Sequence, residues 1–364
     1  MTQANNVAIE SSQINSSGVL QPAGGGTGTA SGVTDFKNRI INGAMNLYQR
    51  ATGTVTPTAW TYTLDRWNVE TTVASKFTVQ QSSSAPAGFN NSYLLTSTSA
   101  YSVSSGDTIA VAQYIEGYNW ADLGWGTANA KTVTLSFWVQ SSLTGTFGGS
   151  LENYARTRSY PFTYTISSAN TWTQISITIA GDITGTWVGA SNSGAVCVLF
   201  EIGAGSTFSG TAGAWASADY RGATGATSVV GTSGATFYIT GVQLEVGSSA
   251  TGFGYRPYGT ELALCQRYYQ QGFTWVGKFN STTSFYGYGN YLVPMRAAPT
   301  ATYIAGGYIS EITVADRSVT AIASYSGNNI GGYFQATTVS GATTGNLGAN
   351  ATSAPTIAGF SAEL

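Results

Sequence analysis

Residues 131–140, Lys-Thr-Val-Thr-Leu-Ser-Phe-Trp-Val-Gln, alternate apolar and polar side chains almost without a break. Val133, Leu135, Phe137 and Val139 therefore fall on one face of an extended chain, and Thr132, Thr134, Ser136 and Trp138 on the other. Residues 171–180 repeat the pattern, with Ile175, Ile177 and Ile179 inward. A third segment sharpens the constraint. Phe237 and Ile239 define one phase, Val242, Leu244 and Val246 define the opposite phase, and Gly241 stands between them. One extra residue at a β-bulge returns both halves of such a strand to a common face, and Gly often marks a bulge. The expected core includes Phe137, Ile177, Leu199, Ile239 and Leu244.

Strands separated by Gly, Ser and Asn turns, with no helical periodicity between them, indicate two packed antiparallel sheets in a sandwich or a barrel. Composition agrees. Only 8% of the 364 residues are charged, against roughly 25% in an ordinary soluble domain. Aromatic residues reach 13%, and 46 residues are glycine, a mixture suited to short strands and tight turns. The net charge of −2, with 14 dispersed basic residues, argues against nucleic acid as a partner. Arg156 and Arg158 come nearest to a basic patch and read as a solvated turn.

Three sequence blocks occur in a fixed order. The first is Asn38-Arg-Ile-Ile-Asn-Gly-Ala-Met-Asn-Leu-Tyr-Gln-Arg50, and the second is Tyr62-Thr-Leu-Asp-Arg-Trp67. The third comprises Val242-Gln-Leu-Glu-Val246 and Tyr255-Arg-Pro-Tyr-Gly-Thr-Glu-Leu-Ala-Leu-Cys-Gln-Arg-Tyr-Tyr269. Together they resemble the carbohydrate-binding-module-like β-jelly-roll domain of bacteriophage tail-fibre and other virion surface proteins. The resemblance selects a jelly roll among the all-β alternatives, and implies a virion protein that adheres rather than catalyses.

The chain divides into three parts. Residues 1–35 carry only a thin apolar edge (Val7, Ile9, Ile14) and resemble the short repeats of trimeric phage-fibre shafts; they are expected to be an attachment arm. Residues 36–258 are expected to form the jelly roll. Residues 259–364 open with a short helix, for which Thr260 can serve as N-cap, Glu261 suits the first turn and Arg267 the last. A second, smaller β-sandwich domain is expected to follow, with strands at Phe273–Val276, Ser284–Tyr288, Tyr291–Pro294, Val319–Ser324 and Gly332–Thr337. No segment has the pattern of a signal peptide or approaches ~20 apolar residues, so folding in a cytoplasm and no membrane insertion are expected. Cys197 and Cys265 lie in different elements and read as free thiols.

Catalysis narrows by elimination. The chain contains no His, which removes Ser-His-Asp and Cys-His sites and imidazole zinc sites. A carboxylate pair of the kind glycosidases use survives, with Glu116, Asp122, Glu152, Asp182 and Asp219 as candidate acids, none in a recognisable motif. No enzyme activity, cofactor or metal is expected, and no compact Asp-rich loop marks a calcium site.

Loop aromatics are the better clue, because a sugar ring offers an apolar C–H face ringed by hydroxyls. Tyr118-Asn-Trp-Ala-Asp-Leu-Gly-Trp125 brings Trp120 and Trp125 beside polar groups; the bland alternative is that this pair plugs an end of the sandwich. Trp187, Trp215 and Tyr220 have small, flexible neighbours and are the preferred contacts. Trp67, Trp138 and Trp172 fall within strand patterns. The leading expectation is a homotrimeric tail-fibre or receptor-binding protein on the phage particle, assembled in the host cytoplasm. Its arm, residues 1–35, would join tail or baseplate proteins, and its β domains would bind host surface polysaccharide. A capsid decoration protein clamping shell subunits is the alternative, and a polysaccharide depolymerase a lesser one.

Overall fold

The structure, a computed structural model, describes residues 36–50, 53–271, 276–304, 308–312, 314–338, 340–350 and 358–364. The arm expected at 1–35 and residues 273–275 of the strand expected at Phe273–Val276 lie outside the described residues.

Two antiparallel sheets face one another. The six-stranded sheet runs β1 (Thr61–Tyr62), β2 (Asn68–Thr71), β5 (Thr108–Glu116), β10 (Gly194–Ala204), β7 (Gly145–Asn153), β8 (Ser159–Ile166). The five-stranded sheet runs β3 (Phe77–Ser82), β4 (Ser92–Ser97), β13 (Thr236–Val246), β6 (Val133–Ser141), β9 (Thr173–Ile179). This is the expected jelly-roll sandwich. Its core interleaves Val111, Leu151, Val198 and Phe200 of the first sheet with Leu95, Leu135, Phe137, Ile239 and Leu244 of the second.

The phase slip in β13 is a bulge. Register with β6 shifts between Thr240 and Gln243, and Gly241 has φ +61°, a conformation that costs a residue with a Cβ. Phe237, Ile239, Val242 and Leu244 all reach the same core in consequence. Two expected core residues depart from the expectation. Ile177 is only half-buried, because β9 is an edge strand with one neighbour. Leu199 is buried, but on the outward face of β10 with Ala110, Ala112, Tyr114 and Cys197.

The three sequence blocks converge into a structural knot. Asn38 donates from Nδ2 to Val242 O, while its Oδ1 accepts from the backbone N–H groups of Ile40 and Leu244. Asn42, at φ +56°, donates to the carbonyls of Leu47 and Asp65, and its own carbonyl accepts from Trp67 Nε1. Arg256 reaches the carbonyls of Ile40 and Asn38 and pairs with Glu261 at 3.0 Å. The blocks thus tie the entry of the jelly roll to the bulged strand and to the following helix.

That helix, α1 (Tyr258–Gln266), has Pro257 rather than Thr260 at its N-cap. Proline lacks the N–H that a helix start leaves unpaired. Beyond it, β14 (Tyr269–Gln271), β22 (Ala358–Ser361) and β17 (Thr300–Tyr303) form a small sheet. The rest is a closed barrel and not the expected sandwich. Its order is β15 (Val276–Ser281), β16 (Ser284–Asn290), β20 (Gly331–Thr338), β19 (Ala315–Gly327), β18 (Tyr308–Glu311), β21 (Leu347–Asn350). Glycines 277, 287 and 348 share one inward row, and the Phe279, Phe285 and Phe334 rings fill the space their side chains would need. Tyr291–Pro294, expected as a strand, is a bend that donates from Tyr291 N to Ile330 O. Both cysteines are free and buried.

Candidate functional site

The outward face of the six-stranded sheet is almost wholly covered by the chain itself. On one side lie α1 and the segment 362–364, with Leu364 packed against the Ala110–Leu199 cluster and Glu363 paired to Arg50 and Arg66. On the other lies the 205–227 loop, whose strands β11 (Ser209–Gly210) and β12 (Gly222–Ala223) pair in parallel over β10 and β7. Between these covers, beside the β7–β8 turn, a seam meets solvent.

The seam is built around Tyr114, which points outward from β5. Trp60, 49% exposed, stacks on it at 5.5 Å and 18°; Tyr154, 42% exposed, meets it edge-on at 5.5 Å. Arg156, in the left-handed conformation at the turn, lies 5.5 Å from the Trp60 ring centre and bonds Glu70 at 2.7 Å. Its Nη1 lies 3.4 Å from Glu152 and 3.5 Å from Asp219. Arg221 closes the network, holding Asp219 at 2.8 Å and facing Glu70 at 3.8 Å. Burial pushes the Glu152 carboxyl well above its ordinary value despite the opposing Arg156. Glu70 and Asp219 thus stand against Arg156 and Arg221, with the buried Glu152 beside them.

Arg156 and Arg158 are therefore not a solvated turn, because buried carboxylates on neighbouring strands and loops draw them in. Arg158 clamps Asp182 with two bonds of 2.7 and 2.8 Å. Burial raises the Asp182 carboxyl, but the Arg158 and Thr184 donors outweigh it and hold it below its ordinary value.

All five candidate acids are arginine partners. Glu116 is held by Arg267 and Tyr268, and Asp122 by Arg39. Glu152 and Asp219 do come together, but a guanidinium fills the space between them and Glu152 is fully buried. A glycosidic oxygen placed there would have to displace Arg156.

The expected tryptophans gather on the other flank of the same turn. Trp125 meets Trp120, Trp187 and Trp215 edge-to-face at 4.7, 4.8 and 5.2 Å. Trp120 and Trp125 are 1% and 6% exposed, so neither ring offers a face to solvent; packing claims that pair as core. Trp187 and Trp215 are half-buried against them, their indole N–H groups donating to Thr184 O and Ala180 O. Tyr220 is half-buried too, its ring closed over Gly210. Trp187, Trp215 and Tyr220 keep only part of each side chain free for contact. Trp60 and Tyr154 were missed by sequence reasoning. The one available signal was the pair of arginines just after Tyr154, since arginines in a chain this poor in charge need partners.

Among the described residues, no three Asp, Glu or Cys side chains are arranged to hold a metal ion. No protein-family model matches the chain, and no curated protein matches its sequence. Solved structures with a similar outline include TmCBM61 in complex with β-1,4-galactotriose, at 10% identity and a TM-score of 0.30, covering 58% of this chain and 99% of that one. Another is the family 11 carbohydrate-binding module of the cellulosomal cellulase Lic26A-Cel5E of Clostridium thermocellum, at 12% identity, TM-score 0.27, covering 56% and 99%. The N-terminal cellulose-binding domain of Cellulomonas fimi β-1,4-glucanase C matches at 11% identity, TM-score 0.21, covering 44% and 80%. All three likenesses are distant.

Proposed function

We propose that this protein is a non-enzymatic adhesin of a phage particle that binds bacterial surface polysaccharide. Residues 1–35 would attach it to the tail, and it would act as a homotrimer. One observation supports glycan contact above the rest: Trp60 and Tyr154 stand half-exposed against a fixed arginine–carboxylate network. The two rings supply apolar stacking surface. Arg156, Asp219 and Arg221 supply rigid donors and acceptors for sugar hydroxyls. The order of the three sequence blocks supports the virion setting.

A single shallow sugar site binds near the millimolar range, about 4 kcal/mol, and three linked copies raise avidity roughly a hundredfold or more. Purified full-length protein should bind members of a panel of bacterial surface polysaccharides by calorimetry. Trp60→Ala combined with Tyr154→Ala should weaken binding at least tenfold while changing stability by under ~1 kcal/mol, as expected of half-exposed positions. Trp187→Ala and Trp215→Ala should cost stability as well as binding, because both rings pack on Trp125. Undiminished binding by the Trp60/Tyr154 variant would move the contact elsewhere. Shortening of the polysaccharide on incubation would overturn the non-enzymatic reading.

A further inference from the structure

The barrel inverts the usual economy of a small β domain, because its outer surface carries a run of large, exposed apolar side chains. Strand pairing sets Val276 beside Tyr288 and Tyr288 beside Tyr333 in one outward row. In the next row Leu347 lies beside Lys278, and Lys278 beside Tyr286. Ile312 joins them through its N–H, which donates to Leu347 O. These apolar residues are 57%, 56%, 50%, 63%, 37% and 50% exposed for Val276, Tyr288, Tyr333, Leu347, Tyr286 and Ile312. They border an open groove of ≈ 630 Å³ whose surface is nearly all carbon.

We infer that this face is where copies of the chain pack against one another, and the inference rests on the homotrimer proposed above. Three arguments select a second copy. Six large side chains on adjoining rows, each 37–63% exposed, make one contiguous, mainly apolar patch of the kind that marks an interaction surface. Among the described residues, Lys278 is the one charged residue lining the groove, and a chain of net charge −2 repels its copies weakly. Aliphatic Val276, Ile312 and Leu347 interleave with the tyrosines and offer a sugar's hydroxyls no partner, so the face suits a packed side-chain interface better than the Trp60–Tyr154 seam does. The barrel is closed, so copies would meet by packing side chains and not by extending a sheet. Three such faces around an axis would bury the tyrosine rows inside.

The test is sedimentation velocity on full-length protein at micromolar concentration, with Tyr288→Glu combined with Leu347→Glu. Wild type should sediment as a trimer and the variant as a single chain with an unchanged circular dichroism spectrum. A second pair, Val276→Lys with Ile312→Lys, approaches the same face with the opposite charge and guards against misfolding of the first. Trimers from both folded variants would overturn the assignment of this face and leave the trimer standing. A monomeric wild type would overturn both. Polysaccharide binding, measured in parallel, reports on the adhesin reading separately: the single-chain variants should keep per-site affinity and lose avidity.

Discussion

The sandwich and the barrel apply the same strand chemistry to opposite ends. In the sandwich both faces of the six-stranded sheet are buried, one by the second sheet and the other by α1, the 205–227 loop and residues 362–364. That double cover allows it to hold ion pairs out of water: Arg66 and Glu70 are each at most 2% exposed, and each is paired. The barrel has one thin interior, three Phe rings over a row of glycines, and leaves its aromatic exterior open. Excess cover in one region accommodates a polar network, while deficient cover in the other calls for a partner.

The strongest way to break this comparison is to place a charge in the doubly covered region. Leu244 is fully buried among the apolar side chains of the sandwich core. Leu244→Asp should cost more than about 4 kcal/mol, enough to abolish cooperative folding of the sandwich. A soluble variant with a sharp melting transition would show that the core assignment is wrong.

The next test addresses the seam between the regions. Phe360 packs in the barrel core, and three residues later Glu363 pairs with Arg50 and Arg66 of the sandwich. Arg66 is 1% exposed and stacks 3.5 Å from the Tyr268 ring centre. Glu363→Ala strands that guanidinium, so about 3–5 kcal/mol should be lost. The two regions should also uncouple, so that calorimetry resolves two unfolding steps.

The sandwich was largely legible because alternation and the slip at Gly241 are local and period-bound. Burial depth was less so. Ile177 and Leu199 have the right phase and chemistry, but an edge position and an outward face are set by which strands pair and what lies over them. The barrel was read as a sandwich for a related reason: closure depends on β18 meeting β21, a pairing without a local signal. The site was least legible. Tryptophans in Gly-rich loops look free from their neighbours alone, yet Trp120 and Trp125 pack on each other. Trp60 and Tyr154 become a site only because Tyr114, from a distant strand, stands between them.

The smallest effect separates the regions by pH. Glu201, on the outward face of β10, accepts from the Ala223 N–H and so helps hold the 205–227 loop. Burial pushes its carboxyl up to about 7, against 4.5 in the ordinary state, and the two backbone donors offset only part of that. The folded state therefore binds the extra proton. The stability it brings is complete below about pH 4.5 and falls away as pH rises through about 7, by about 3 kcal/mol at most. Glu311 of the barrel behaves oppositely. Burial raises it, but donors from Thr343, Arg317 and Asn346 prevail and bring it down to about 2. Its contribution is present above pH 4.5 and is lost only as pH falls toward 2. Between pH 4.5 and 7, hydrogen exchange should quicken with pH beyond the intrinsic chemical rate in β10 and β7, and not in β15 and β16. Glu201→Gln should reduce the slope in β10 and β7. A barrel that loosens over the same window would mean that the two regions open as one, and that the difference drawn between them is geometric only.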